Sequence, residues 1–324
     1  MRYIVYLSGE NVSLAREELK SVITAQGSTV EIIHDYPRLL VLDIDKKISF
    51  SDCAFVTEVS RYLSDINLIN SIDFTPYINT SINVRVIKHN LKEDIDGTQF
   101  ERQIGHLFHT NGAAIDLNAP EKKIRIYKTQ EKGFVGELIS IQSREFSKRK
   151  ASLRPFHRPV SLDPKIARVM VNLAQVKAGD HVLDPFVGTG GILIEAGLMR
   201  CRIAGIDMDE EMVEGTKVNL AEYKIPNSKI IKGDAFDTRN IFGENFDAVV
   251  TDFPYGKNTK DADVRDIAEQ FLEYAPSITK RGGFVSVASN FSDLKIPENS
   301  KLKNRFKIYI HKSMSKWIYV FEVR

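Results

Sequence analysis

Apolar and polar positions along the first 45 residues alternate between two periods. Tyr3 to Leu7 is a short β-branched and aromatic run that predicts a strand. Ser13 opens a helical period that stops near Gly27, and Thr29–His34 and Leu39–Ile44 predict a hairpin around Tyr36-Pro37. A second segment predicts a helix over 51–63, a strand over Ser81–Ile87 and a helix over 98–110 stopped by Asn111-Gly112. Strands over Lys123–Lys128 and Gly133–Ile141 follow. From Gln142 to Pro159 no period survives, and Pro155 and Pro159 interrupt a basic stretch that reads as a linker. Beyond Asp163 short apolar strands alternate with amphipathic helices. Strands at His181–Leu183, Arg202–Ile206, Lys229–Ile231, Phe246–Thr251 and Phe284–Ala288 are separated by helices at 190–199, 209–223 and about 264–275. That alternation means βαβ units and a parallel sheet covered on both faces, an α/β fold. Arg305–His311 and Lys316–Val323 face each other across Ser313-Met314-Ser315 as an antiparallel hairpin. The pattern divides the chain at 1–48, 49–142, 143–159 and 160–324.

Composition narrows the classes. The chain has 324 residues, 43% apolar and 27% charged, with a net charge of +2, which is ordinary globular composition for about two domains. Two cysteines, Cys53 and Cys201, exclude a disulfide scaffold, favour a reducing compartment and offer no zinc site. No apolar run reaches a membrane span and the first residues lack a signal peptide, so a soluble cytoplasmic protein without metal is expected. The charge is uneven. Lys122 to Arg168 holds 13 Lys/Arg against four Asp/Glu, a local +9, which leaves −7 for the rest. Such a stripe suits a polyanion partner, although a solvated, salt-bridged face has the same composition.

The strongest local signal is the run from His181 to Gly197, HVLDPFVGTGGILIEAG. A strand ends at Asp184, a loop from Pro185 to Gly191 carries three glycines (Gly188, Gly190, Gly191), and a helix begins at once. Glycines there let backbone N–H groups approach a ligand at the carboxyl edge of the first strand; a tight strand-to-helix connection reads the same way. No lysine makes the loop a P-loop, which disfavours a nucleoside triphosphate. Asp207, 23 residues after Asp184, ends the next strand and can take both hydroxyls of an adenosine ribose. On spacing alone NAD and S-adenosylmethionine fit equally. Asp234-Ala235 follows the third strand, where an acid can accept from an adenine amino group. The fourth strand delivers Thr251-Asp252-Phe253-Pro254-Tyr255-Gly256.

With that last motif the sequence resembles the class I S-adenosylmethionine-dependent methyltransferases that act on exocyclic amines, which carry Asp/Asn/Ser-Pro-Pro-Tyr/Phe at this point and a seven-stranded Rossmann-like sheet. An exocyclic nucleobase amine is a poor nucleophile because its lone pair is delocalised into the ring. The resemblance implies that the Asp252 carboxylate and the Phe253 carbonyl accept from its N–H groups, turning the lone pair toward the methyl group and stabilising developing charge. Tyr255 would stack on the base, next to Pro254. Phe253 departs from the family pattern, which has proline there. The resemblance also implies S-adenosylmethionine contacts from Ser161, Leu162, Asp184, Pro185, Gly188, Thr189, Gly190, Asp207, Met208, Asp234, Ala235 and Asp252, with Ser161 and Leu162 at the methionine end. His157 receives no acid–base role.

Ser81 to Ile141 resembles a THUMP domain, an RNA-binding module, through Asn83-Val84-Arg85-Val86, Phe100 to Gly105, Ala114 to Pro120, Ile124 to Tyr127 and Gly133 to Gly136. A ferredoxin-like piece over 1–48, THUMP over 49–142, a basic linker over 143–159 and a methyltransferase over 160–324 is the order of the archaeal THUMP-containing tRNA guanine-N2 methyltransferases that act on guanine 10. The expected partner is then tRNA, with Lys122, Lys123, Arg125, Lys128, Arg144, Lys148, Arg149, Lys150 and Arg154 on its phosphates. A paired guanine must be unstacked to reach Asp252. Rivals are the same chemistry at another tRNA guanine such as position 6, a DNA adenine methyltransferase, or a catalytically weak RNA-binding module with Phe253 as its lesion. Mono- or dimethylation, oligomeric state and an activating subunit are not legible in these residues.

Overall fold

Backbone pairing builds two separate sheets, one in each of two units. The chain is described here from a computed structural model covering residues 1–92, 95–142, 144–159, 161–226, 228–254, 261–311 and 314–324. The first unit comprises Met1–Ala15, Ser28–Ser51 and Val56–Gln142; the second comprises Arg16–Gly27, Asp52–Phe55 and Ser143–Arg324. Helix α1 (Val12–Ala25) contributes residues to both. Among the described residues no helix is long and apolar enough to cross a membrane.

The first unit holds β1 (Arg2–Leu7), β2 (Val30–Asp35), β3 (Leu39–Ile44), β4 (Val56–Asp65), β5 (Ser81–Lys88), helix α2 (Gly97–Thr110), β6 (Ala114–Ile115), β7 (Lys122–Lys128) and β8 (Gly133–Ile141). They form one sheet in the order β2-β3-β1-β4-β8-β7-β5-β6. Asp96 caps α2 by accepting from Thr98 and Gln99 N–H. The helix buries Ile104 and Phe108 with Ile82, Val84, Ile124 and Ile126 of the strands.

Residues 51–63 do not form the expected helix. Strand β4 occupies most of that span, paired antiparallel with β1 (Val5↔Val59) and with β8 (Val59↔Ser140). Apolar residues at 53–56, 59 and 63 satisfy either period. Val56, Thr57, Val59 and Tyr62 tip the choice toward strand, because β-branched and aromatic side chains suit a pleated surface and partners on both edges satisfy the backbone. The segments 1–48 and 49–142 thus share one continuous sheet.

The second unit contains α3 (Pro164–Leu173), β9 (His181–Asp184), α4 (Gly191–Leu198), β10 (Arg202–Asp207), α5 (Glu210–Glu222), β11 (Ser228–Lys232), α6 (Thr238–Phe242), β12 (Phe246–Asp252), α7 (Asp261–Ile278), β13 (Thr279–Ser289), β14 (Ser300–His311) and β15 (Met314–Val323). The sheet order is β11-β10-β9-β12-β13-β15-β14. The first five strands are parallel neighbours, and β15 pairs antiparallel with both β13 and β14. Met314 and Ser315, expected in the hairpin turn, already pair with His311 and Tyr309; Ser313 lies outside the described residues. The order reverses direction between β9 and β12, the place where open α/β sheets open a crevice at their carboxyl ends.

Residues 143–159 are not a free linker. They belong to the second unit and contain 3-10 turns at Arg144–Arg149 and Ala151–Leu153. Arg149 makes a two-bond contact with Glu195 of α4 (2.7 and 3.0 Å), and Arg168 of α3 holds the same carboxylate at 3.0 Å. Arg168 also reaches Asp52 at 3.3 Å. Glu18 accepts from the Ala54 and Phe55 N–H groups and from Asn172, and burial pushes its carboxyl up to about 7. Basic residues read as solvent-facing here because the acid that buries them lies 46 residues further on.

Glu195 therefore holds two buried guanidinium groups at once. Replacing it with alanine leaves both without that partner, and the loss expected for breaking a buried pair is about 3–5 kcal/mol. A fall in unfolding free energy of that size in Glu195→Ala, measured by urea denaturation, checks it; a change within a few tenths of a kcal/mol contradicts it.

Candidate functional site

The parallel strands place three acids side by side. Register aligns Gly205 of β10 with Asp184 of β9, so Asp207 projects two residues past the end of its neighbour. On the other side of β9, β12 ends at Asp252 opposite Ala288 of β13. Between β9 and α4 the loop turns sharply. Gly188 and Gly190 adopt left-handed φ of 51° and 78°, and a Cβ on Gly190 would lie 2.8 Å from Thr216 Cγ2. Only glycine suits both needs.

This loop is tied down by the acids. Gly188 N–H donates to Asp207 Oδ2 (2.9 Å) and Asp209 N–H to Oδ1 (3.0 Å). Thr251 Oγ1 donates to Asp184 Oδ1 (2.6 Å), linking β12 to β9 beneath the loop. Thr216 and Asn219 of α5 donate to the carbonyls of Gly188 and Thr189. Burial raises the carboxyl of Asp207 and pushes that of Asp184 up to about 7, with the Thr251 hydroxyl and Phe186 N–H working against it.

A cavity of ≈ 640 Å³ opens above these strand ends, within the usual range for a small-molecule site. Of the twelve residues expected around a cofactor, Ser161, Leu162, Asp184, Pro185, Gly188, Thr189, Asp207, Met208, Asp234, Ala235 and Asp252 line it. Gly190 does not; it sits behind the loop as the N-cap of α4. Ser161 Oγ and Thr189 Oγ1 are 3.2 Å apart, and Asp234 caps a short turn by accepting from Phe236 N–H. Among the described residues no cluster of His, Cys, Asp or Glu could hold a metal ion.

Asp252, Phe253 and Pro254 also line the cavity, while Tyr255 and Gly256 lie outside the described residues. Phe253 is 2% exposed and packs edge-on against Phe186 and Phe271, at centroid distances of 5.7 and 6.1 Å. Its N–H donates to Ala288 O (3.1 Å), extending the β12–β13 ladder by one bond that proline could not make.

One residue at this wall escapes motif reading. Lys316 of β15 is 1% exposed, and its Nζ lies 2.5 and 2.6 Å from the two carboxylate oxygens of Asp252. Burial pushes the Asp252 carboxyl up to about 6 while Lys316 pulls it down; burial likewise lowers Lys316, with Asp252 opposing. The sequence does carry a signal for it. Lys316 alternates in phase with the buried Ile318 and Val320, which marks an inward-facing lysine.

The basic residues expected on RNA separate into two sets. Arg125 is buried and paired with Glu58 (3.1 Å), Arg149 is buried on Glu195, and Arg154 is buried with its Nε donating to Arg149 O. These three do not present their charge to solvent, which corrects the expectation for them. Lys123, Lys148 and Lys150 are exposed and Lys128 half-buried, while half-buried Lys122 donates to Pro76 O. The Arg144 side chain lies outside what is described.

Comparison with known proteins agrees with this architecture. A family model described as RMKL-like, methyltransferase domain (UPF0020) matches residues 151–312. The chain is 36% identical over 338 residues to the tRNA (guanine(10)-N2)-dimethyltransferase of Methanothermobacter thermautotrophicus, covering 99% of both chains. It is 31% identical to the enzyme of the same name from Pyrococcus abyssi, covering 99% of this chain and 100% of that one. Among solved structures, TrmN from Thermus thermophilus superposes with a TM-score of 0.56 at 18% identity over the full length of both chains. The second unit thus has the class I methyltransferase fold.

Phe253 replaces a proline without leaving a gap, so restoring proline removes a packed ring and a ladder bond. Phe253→Pro should cost roughly 3–5 kcal/mol, as for other buried aromatic truncations. Thermal unfolding of the variant checks this; an unchanged midpoint would mean the ring contributes nothing to the core.

Proposed function

The chain belongs to the archaeal tRNA (guanine(10)-N2)-dimethyltransferase family, and we propose that it methylates the exocyclic N2 of guanine 10 in tRNA, using S-adenosylmethionine. The observation that carries the reading is Asp252, an acid lining the same cavity as a glycine loop tied to Asp207.

The residues present fit the cofactor. The left-handed Gly188–Gly190 turn keeps Cβ atoms out of the approach to the strand ends, Asp207 suits ribose hydroxyls and Asp234 an adenine amine. Ser161 and Leu162 would face the methionine end. When bound, S-adenosylmethionine supplies an electrophilic methyl group on a sulfonium.

The chain's own residues do the rest. Asp252 and the Phe253 carbonyl accept from the N2 hydrogens and turn the lone pair toward the methyl carbon. Held this way, the amine would form its N–C bond while the donor's sulfur would keep the electron pair of the C–S bond broken. The surplus N2 proton passes to Asp252. A carboxylate has about four acceptor positions, so the bonds from Lys316 leave room for the amine. A second transfer to the same nitrogen uses the same acceptors, in keeping with the names of the relatives.

We assign the first unit to RNA holding, as a ferredoxin-like segment merged with a THUMP domain. Lys123 and Lys128 in that unit, and Lys148 and Lys150 in the second, are the candidates for phosphate contact, giving salt-dependent affinity with little sequence content.

Incubation with unmodified tRNA transcript and labelled S-adenosylmethionine, then nucleoside analysis, should yield N2-methyl- and N2,N2-dimethylguanosine. A transcript lacking guanine 10 should lose the label; retention there, with loss on replacing guanine 6, would move the target. Asp252→Ala should lower turnover by about 10²-fold or more, a larger loss than any it causes in cofactor affinity, and full activity would refute its role. Because the acceptor must be anionic and its carboxyl lies near 6, kcat should fall as pH drops through about 6. A flat kcat between pH 5 and 8 would contradict that.

A further inference from the structure

The ion pair between Lys316 and Asp252 is more than a fold contact. Register places Ile318 opposite Ala288 and Ala288 opposite Asp252, so Lys316 lies two residues beyond, toward the carboxyl edge of the sheet. From there its side chain reaches across the end of β13 to Asp252. The pair is asymmetric: the lysine is 1% exposed, while the aspartate side chain keeps 16% exposure and lines the cofactor cavity. A second cavity of ≈ 400 Å³, lined by Lys150, His157, Arg158 and Tyr309, meets Lys316 from its other side.

We propose that Lys316 is a positioning residue for methyl transfer, holding Asp252 anionic and aimed at the incoming amine. The proposal rests on Asp252 being the amine acceptor. Desolvating a lysine this deeply costs several kcal/mol, and an apolar residue would serve the fold as well or better. What the apolar residue would not do is keep a buried carboxylate ionised.

The groups around Asp252 make that necessary. Asp252 and Asp207 both raise the carboxyl of Asp184 on the strand between them, so the cluster holds three acids. The neighbouring residues of β13, Ala288 and Ser289, carry no charge. Arg158 stands on the cavity wall but pairs with Glu211. Lys316 supplies the opposing charge in direct contact. Without it, burial alone acts on Asp252 and favours its protonated form. A protonated carboxyl cannot take up the proton released.

The test compares Lys316→Met, Lys316→Gln and Lys316→Arg with wild type in kcat–pH profiles and cofactor affinity. Losing an opposite charge at contact distance should move the acid limb up by about one to three pH units. A two-unit shift from about 6 leaves about one-tenth of Asp252 ionised at pH 7, so kcat there falls about tenfold. It should recover toward wild type near pH 9, with the KM for S-adenosylmethionine unchanged, and Lys316→Arg should keep the wild-type profile. An equal loss at every pH, or no shift, overturns the proposal. Lys316→Gln keeps a donor on Asp252 without the charge and serves if the methionine variant does not fold.

A readout independent of substrate accompanies it. In protein labelled with carboxyl-¹³C aspartate, the signal absent from Asp252→Asn reports the Asp252 titration. Its midpoint should rise in Lys316→Gln; an unchanged midpoint overturns the proposal even if activity is lost. If wild type methylates no tRNA guanine, the activity reading fails, and this titration still decides whether Lys316 holds Asp252 ionised.

Discussion

Parallel pairing at the centre of the second sheet imposes the constraint on which the site depends. Adjacent strands β10, β9 and β12 finish at one edge, so the acids at their ends, Asp207, Asp184 and Asp252, crowd a single cavity wall. Each is raised by burial, and each is stabilised differently. Asp207 takes two backbone N–H groups, Asp184 a threonine hydroxyl, and Asp252 an ammonium. Only the last device is a full charge, and it stands at the strand end where the proposed reaction would need an acceptor.

The rest of the wall follows from that arrangement. Tying Gly188 to Asp207 fixes the loop that must admit a ligand, and the φ values of the loop require glycine. Phe253 stands where the resemblance leads one to expect proline. The acceptor proposed there is a backbone carbonyl, which any residue supplies. The ring goes into the core beside Phe186 and Phe271, and the regained N–H bonds to β13. Rigidity that proline takes from its ring comes here from packing and pairing.

A similar exchange explains the basic stretch. Its charge is real, but Arg149, Arg154 and Arg168 spend theirs inside the second unit, two of them on Glu195. Local net charge overstates what an RNA could meet: of the residues expected on its phosphates, Lys123, Lys128, Lys148 and Lys150 are the candidates that remain, and Lys148 pairs with Glu145. Charge counted along a chain cannot separate a guanidinium on a buried carboxylate from one in water, since the two differ only in distant partners.

What the sequence determined by itself is local. Most strand and helix periods from Asp163 onward, the glycine loop, the acids ending three strands and the Asp252-Phe253-Pro254 step are set by neighbouring residues and appear where the pattern puts them, although β13 and β14 begin five residues earlier, α6 is additional and Met314 and Ser315 are strand. Segment 51–63 was misread because its apolar spacing serves both periods, and pairing with β1 and β8 made the choice. Residues 143–159 read as linker because Glu195 is far along the chain. Lys316 lies 64 residues from Asp252, and a lysine in a hairpin strand has no motif. Its alternation with Ile318 and Val320 says only that it faces inward. That it meets the acid at the centre of the site was decided by tertiary structure, because a buried charge takes its meaning from the partner that the sheet brings to it.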